Sequence, residues 1–284
     1  MERLLLGCHC PSHTKENDYM KKYNLFSKYP QCNHIHKPTL IEWVTDGSGL
    51  IDFFVDDAAM GEGTGKKKVA IMVEPRSIQP EMYQWMILNY TKFNVIFTHD
   101  LELLKICTNA RPINFMNWYE SFDVPKTKNI SMVCSDKNMC HEHSQRQALA
   151  DTLGDKVDHY GQYRGLGWSN YYDCRAEYRF EVVVDNYWKG YWASEKLANA
   201  LASKTIPIYL GGEHLPKDIN PNGIIKVRNI DDIPDVVDMV LERPEQIYHN
   251  RLFAINENFK AIQKHKIFED WLFTEYKTVL EELE

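Results

Sequence analysis

Between Tyr178 and Gly212 the chain runs strand, loop, helix, strand. Tyr178–Asp185 is a largely apolar, β-prone run and Asn186–Ala193 a loop. Ser194–Ser203 has helical spacing, and Thr205–Leu210 is a second apolar run closed by Gly211-Gly212. This is one βαβ unit. Such crossovers are right-handed and place ligands beyond the carboxyl ends of their strands. Strands this apolar belong in a parallel sheet covered on both faces, so the expected fold class is α/β.

The alternation extends in both directions. Leu4–Gly7, Val69–Val73 and Val95–Thr98 read as strands, with helices over Pro80–Asn89 and Leu101–Cys107. A second series begins with a strand at Ile130–Cys134, continues through a helix at Ser144–Leu153 and a short strand at Val157–Tyr160, and enters the βαβ unit. Two successive series predict two Rossmann-like domains. The boundary falls in Ser121–Asn129, giving residues 1–124 and 125–265. Glu245–Glu284 reads as helical throughout. Its apolar stripe, from Ile267 through Trp271, Leu272, Tyr276 and Leu280, needs a surface to cover.

Ser194 is a good N-cap, with Glu195 in the first turn. The free N–H groups of that helix end point into the crevice and suit an anion such as a diphosphate, to which Lys196 adds a full positive charge. Glu195 can accept donors from a ribose or a sugar. The same residues read equally well as a capped helix with a solvated Glu-Lys pair.

Tyr178-Arg179-Phe180, Asp185-Asn186, Ser194-Glu195-Lys196-Leu197 and Thr205 to Gly211, taken together, resemble the donor-site signature of glycosyltransferase family 10, the α1,3/α1,4-fucosyltransferases, in its bacterial form. Arg146 with Leu149 and Val157-Asp158-His159-Tyr160-Gly161 extend the likeness upstream, and Lys217 to Pro221 and Ile225–Val227 extend it downstream. The resemblance implies a GT-B fold, two Rossmann-like domains with parallel sheets facing across a cleft. The first would be the acceptor side, rejoined by helix 266–284, and the second would bind the nucleotide sugar. It implies an inverting, metal-independent transferase with no cofactor, moving a sugar from a nucleotide diphosphate sugar, GDP-fucose by default, to a glycan hydroxyl. By the same likeness Arg146 and Lys196 would neutralise the diphosphate, Glu195 would bind donor hydroxyls, Asn186 would shape the nucleotide pocket, and Ser194 would cap the helix there. Two positions depart from the family: its Glu before Asn is Asp185, and a Tyr is replaced by Trp192, with Tyr191 one place away. These keep UDP-xylose open as donor. Tyr187 lies in the same loop. In the first half, Ile71-Met72-Val73-Glu74-Pro75 resembles the element that carries the family's proposed general base, Glu74. Arg76 would pair with that base or reach a phosphate.

Other features read more plainly. Gly61 to Lys66 lacks the Walker spacing and reads as a mobile surface loop. Cys8-His9-Cys10 with His13, and Cys32 with His34 and His36, match no standard zinc pattern; His9 and His13 would sooner touch the acceptor. Cys140-His141-Glu142-His143 reads as a loop before the Arg146 helix. Asp56-Asp57 and Asp231-Asp232 lack the Asp-x-Asp spacing of a metal-holding motif and read as turns or caps. Trp168 and its aromatic neighbours read as packing.

Composition sets the outer limits. In 284 residues, 33 Lys and Arg face 40 Asp and Glu, a net charge of −7 that argues against a nucleic-acid coat. No run approaches a membrane span of ~18 residues. Seven cysteines, an odd number, fit reduced thiols in a cytoplasm-like compartment, bacterial or viral. The rival class is a non-catalytic nucleotide- or carbohydrate-binding protein on the same fold. A Rossmann dehydrogenase is excluded by the lack of a Gly-x-Gly-x-x-Gly after a strand.

Overall fold

The computed structural model describes residues 20–28, 36–164 and 170–284. The expected first strand Leu4–Gly7, together with His9, His13, Cys32, His34 and Trp168, lies outside them.

Two parallel sheets organise the chain. The first contains β1 (Lys21–Phe26), β2 (Ile41–Val44), β3 (Asp52–Val55), β4 (Lys68–Ile71), β5 (Val95–Thr98) and β6 (Ala110–Pro112), in the order β2-β1-β3-β4-β5-β6. Two helices cross over it, α1 (Pro80–Asn89) and α2 (Leu101–Ile106). The second contains β7 (Lys128–Val133), β8 (Asp158–Tyr160), β9 (Tyr178–Val184), β10 (Ile206–Leu210) and β11 (Ile225–Lys226), in the order β11-β10-β9-β7-β8. Its helices are α3 (His141–Leu153), α4 (Glu195–Leu201), α5 (Ile233–Glu242), α6 (Pro244–His249) and α7 (Leu252–Ala261), and the chain ends in α8 (Phe268–Glu275) and α9 (Lys277–Glu281).

The side-chain period of two splits each sheet between two cores. In the second sheet, Phe180, Val182 and Val184 of β9 and Ile206 and Ile208 of β10 face Leu149 and Leu153 of α3 and Val237 of α5. Val183 and Tyr209 face the other way, onto Leu197 and Leu201 of α4. All seven β9 residues are buried, as a doubly covered strand requires. In the first sheet, Ala70 and Ile96 meet Met82, Tyr83 and Met86 of α1. Val69, Ile71 and Phe97 join Trp271, Leu272, Phe273 and Leu280 on the opposite face, so the terminal stripe covers the first sheet.

The helical tail is broken into α6 to α9 by turns, and is not one continuous helix: Arg243 and Pro244 start α6, and Ile267 and Tyr276 leave helical geometry. The 61–66 loop is pinned: Thr64 donates its N–H (2.7 Å) and hydroxyl (2.8 Å) to Asp52, and Lys66 Nζ donates to Gly47 O at 2.9 Å. His141 to His143 form the first turn of α3 and not a loop.

Candidate functional site

β4 ends at Ile71, and the chain leaves the sheet through Met72, Val73, Glu74 and buried Pro75. Glu74 is half-buried. Loss of water raises its carboxyl above the usual range. Lys196 and Lys137 pull the other way, and Glu195 adds to the rise. Those three come from the second sheet's side, so the carboxyl end of β4 and the start of α4 face one another across the cleft.

At the start of α4, Ser194 accepts from the Lys196 N–H at 3.2 Å and donates to Asp185, at the end of β9. Lys196 Nζ donates to Glu195 Oε1 at 2.8 Å. Burial alone would raise the Glu195 carboxyl, but the Lys196 ammonium holds it below its ordinary range. Arg146, buried in α3, donates from Nη1 to Val184 O at 2.9 Å, while its Nε is buried without a partner. His143, one turn earlier, is held neutral: burial first, then Arg146, Lys196 and Lys137, lower it to about 4. A basic cluster thus surrounds one helix end, the arrangement that an anionic diphosphate would neutralise. The Asn186 Oδ1 is likewise buried and unpartnered.

The loop after β9 is locked to the first sheet. Tyr191 N donates to His99 O at 3.0 Å, Ser77 Oγ donates to Asn186 O at 3.0 Å, and Tyr187 Oη lies 3.4 Å from Asp100 Oδ2. Gly190 has φ +62, and a Cβ there would sit 2.3 Å from His99 O. Gly212 is as confined, since its Cβ would meet Trp192 O at 2.2 Å.

Several expected contacts are corrected. Asp185 is fully buried, and its oxygens serve Ser194 and Tyr209 Oη (2.9 Å). It therefore shapes the pocket from behind and does not open onto it. Trp192 is 5% exposed and packs on His99, with centroids 4.5 Å apart, and on Phe115. Its ring is core between the halves. Arg76 pairs with neither Glu74 nor an open phosphate position. It forms a two-point bond to Asp100 (3.0 and 2.8 Å) and reaches Glu102 at 2.8 Å. Tyr191 lies against His214, with centroids 4.7 Å apart. His36 Nε2 contacts Tyr119 O at 2.9 Å. Among the described residues no group of three or more His, Cys, Asp or Glu could hold a metal ion, and no helix is long and apolar enough to cross a membrane.

Sequence reasoning passed over Lys137 and read His143 only as part of a loop; the proximity of both to the start of α4 arises from the sheet order. An open groove of about 520 Å³ also lies at the carboxyl ends of β1, β2 and β3, lined among others by Phe26, Lys28, Thr45, Asp57 and Glu62. Strand order reverses there, between β1 and β3, the place where open α/β sheets bind ligands.

One stretch of 77 residues is 30% identical to the alpha-(1,3)-fucosyltransferase FucT of Helicobacter pylori; it spans 27% of this chain and 16% of that protein. A crystal structure of an alpha1,3-fucosyltransferase superposes with a TM-score of 0.58 at 17% identity, covering 96% of this chain and 93% of that one. A structure of alpha1,3-fucosyltransferase with GDP-fucose gives 0.55 at 16% identity, over 92% and 90%. TarM gives 0.51 at 14%, over 81% and 54%. The fold is therefore GT-B. The sequence model described as glycosyltransferase family 10 (fucosyltransferase) C-term matches residues 115–281, more than half of the chain, and the chain belongs to that family.

Proposed function

We propose that the protein is an inverting glycosyltransferase that uses GDP-fucose and a glycan acceptor. The observation that carries this reading is that Glu74, at the end of β4, lies within electrostatic reach of Lys196, Lys137 and Glu195, while nearby Ser77 donates to Asn186 O of the donor loop at 3.0 Å. A carboxylate poised above its usual range can take a proton from an acceptor hydroxyl as that oxygen attacks the anomeric carbon. The negative charge that develops on the leaving diphosphate falls among Lys196, Lys137, Arg146 and the α4 N–H groups. Charge is neutralised by the chain's own cations, so the step calls for no divalent ion. Asn186 Oδ1 and Arg146 Nε, both buried and unpartnered, are the polar atoms a bound nucleotide sugar would satisfy.

The family, and a solved structure of similar fold described with GDP-fucose, support this donor. The two departures that kept UDP-xylose open, Asp185 and Trp192, are both buried, which supports keeping the guanosine donor. The acceptor would approach by the groove at the carboxyl ends of β1 to β3, whose lining residue Asp57 adjoins Asp56, the partner of the Glu74 N–H.

The test compares wild type with Glu74→Gln and Lys196→Ala, by calorimetry with GDP and UDP and by sugar transfer from GDP-fucose. A base contributes about 10²–10⁴ in rate. Glu74→Gln should lose at least about a hundredfold in turnover while binding GDP as wild type does. Lys196→Ala should weaken GDP first, by roughly ten- to a hundredfold. Nucleotide binding with no transfer or hydrolysis of any nucleotide sugar by wild type would establish the binding-protein reading instead.

A further inference from the structure

Glu74 is held by its main chain from both sides. Asp56, the first residue after β3, accepts the N–H of Val73 at 2.7 Å and the N–H of Glu74 at 3.1 Å on one oxygen, Oδ1. On the other side Tyr83 of α1 donates its hydroxyl to Glu74 O at 2.7 Å. His99, after β5, lies 3.0 Å from the Tyr83 oxygen through Nε2. Since the Tyr83 proton is committed to Glu74 O, the imidazole must donate from Nε2, which leaves Nδ1 as a buried acceptor without a partner. Three neighbouring strands therefore contribute to fixing one turn.

Asp56 does this at a backbone cost. Its φ is +51, the left-handed region that side-chain-bearing residues avoid, with Asp and Asn the best tolerated. From there its carboxylate reaches the N–H groups of Val73 and Glu74 just past the end of β4. Non-glycine residues in this region are sustained by the contacts they make, and the contacts here end on the main chain of the expected base.

We propose that Asp56 is a positioning residue for Glu74: its carboxylate fixes the Val73-Glu74 turn and its charge shares the electrostatic environment of the base. This rests on the reading of Glu74 as the base. Asp56 faces Glu74 and Asp57, both of which raise its carboxyl, and Tyr83; burial is the largest cause, and the carboxyl is pushed up to about 7. Glu74 faces Asp56 on one side and Lys196, Lys137 and Glu195 on the other. The Glu74 charge is one of the causes that raise Asp56, so by reciprocity a charge on Asp56 opposes ionisation of Glu74.

Asp56→Asn and Asp56→Ala separate the two roles. Asn keeps an acceptor oxygen and tolerates the same φ; Ala keeps neither. Turnover with GDP-fucose across pH, GDP affinity by calorimetry, and amide exchange at Val73 and Glu74 are measured for each. Asp56→Ala is expected to lose about tenfold or more in kcat at unchanged GDP affinity, with faster exchange of both amides. Asp56→Asn should keep those amides protected and restore part of the rate. The acid limb of its pH profile should move to lower pH, because no charge at position 56 then opposes ionisation of Glu74, which a purely structural residue would not cause. Wild-type turnover in Asp56→Ala, or an acid limb in Asp56→Asn that superposes on wild type, overturns the proposal. If the wild-type protein transfers no sugar, the proposed function falls, and the positioning claim is judged on the amides alone: unchanged exchange in Asp56→Ala refutes it.

Discussion

His99 and Asp56 sit on either side of Glu74 and pull stability in opposite directions with pH. Burial lowers His99 to about 3, so the unfolded chain binds a proton there that the folded one does not. That contribution is present above the ordinary imidazole value of about 6.5 and is lost as pH falls toward about 3. Asp56 is raised to about 7, so its contribution is present below the ordinary carboxylate range and lost as pH rises through about 7. Between about pH 4.5 and 6 the folded state holds one proton and the unfolded state the other, and the two slopes cancel. Asp56→Asn removes one side of that balance. Its stability should fall on acidification more steeply than wild type by up to about 1.4 kcal/mol per pH unit, measured by urea denaturation at several pH values. At this scale the sequence reveals only motif-borne chemistry. Glu74, Arg146, Glu195 and Lys196 stand out in runs that resemble a family. Asp56 and His99 do not, because an acidic pair after a strand and a histidine before a helix acquire meaning only when the sheet brings their loops together.

At the level of elements, the donor loop is threaded between two strand ends, and its tightest points are glycines. An alanine at position 190 must take φ +62 and place its Cβ against the His99 carbonyl, a backbone atom that cannot turn aside. Gly190→Ala should cost upward of about 1 kcal/mol from the dihedral alone. It should also weaken GDP, because the loop that carries Asn186 must shift. A melting curve and a GDP titration check both; wild-type values in both would show that the loop can relax without consequence. Most second-sheet elements are legible from pattern: β9, α4 and β10 fall within a residue or two of where apolar runs and caps put them. β1, β2 and β3 are not. They are short, Lys21–Phe26 mixes charged with apolar positions, and β3 is preceded by Gly and Ser. Parallel pairing and the overlying aromatic cluster stabilise them, and neither is a local property of sequence.

For the molecule as a whole, the terminal helices act on the half of the chain from which they are most distant in sequence. Phe273 lies among Tyr23, Trp43 and Phe53, with ring centroids 4.8 to 6.2 Å apart. Trp271, Leu272 and Leu280 are buried with it. At roughly 1.5–3 kcal/mol for each large side chain, this contact rivals the whole stability of a typical domain, about 5–15 kcal/mol. Truncation after Lys264 should therefore yield insoluble protein or one without a cooperative melt; a truncated chain that melts as the full one does would show the first sheet to be self-sufficient. The chain passes between the halves twice, once through residues 113–127 and again through 262–267. Trp118 Nε1 donates to Ile262 O at 2.9 Å and ties the two passages together, and Lys266 lies over the Trp118 ring at 5.3 Å. Trp118 and Ile262 both pack in the core on the α4 side of the second sheet, so the two passages are fastened side by side to the same half. A substitution that removes the Trp118 indole would loosen the outgoing and the returning passage together, and with them the anchorage of the helices that cover the first sheet.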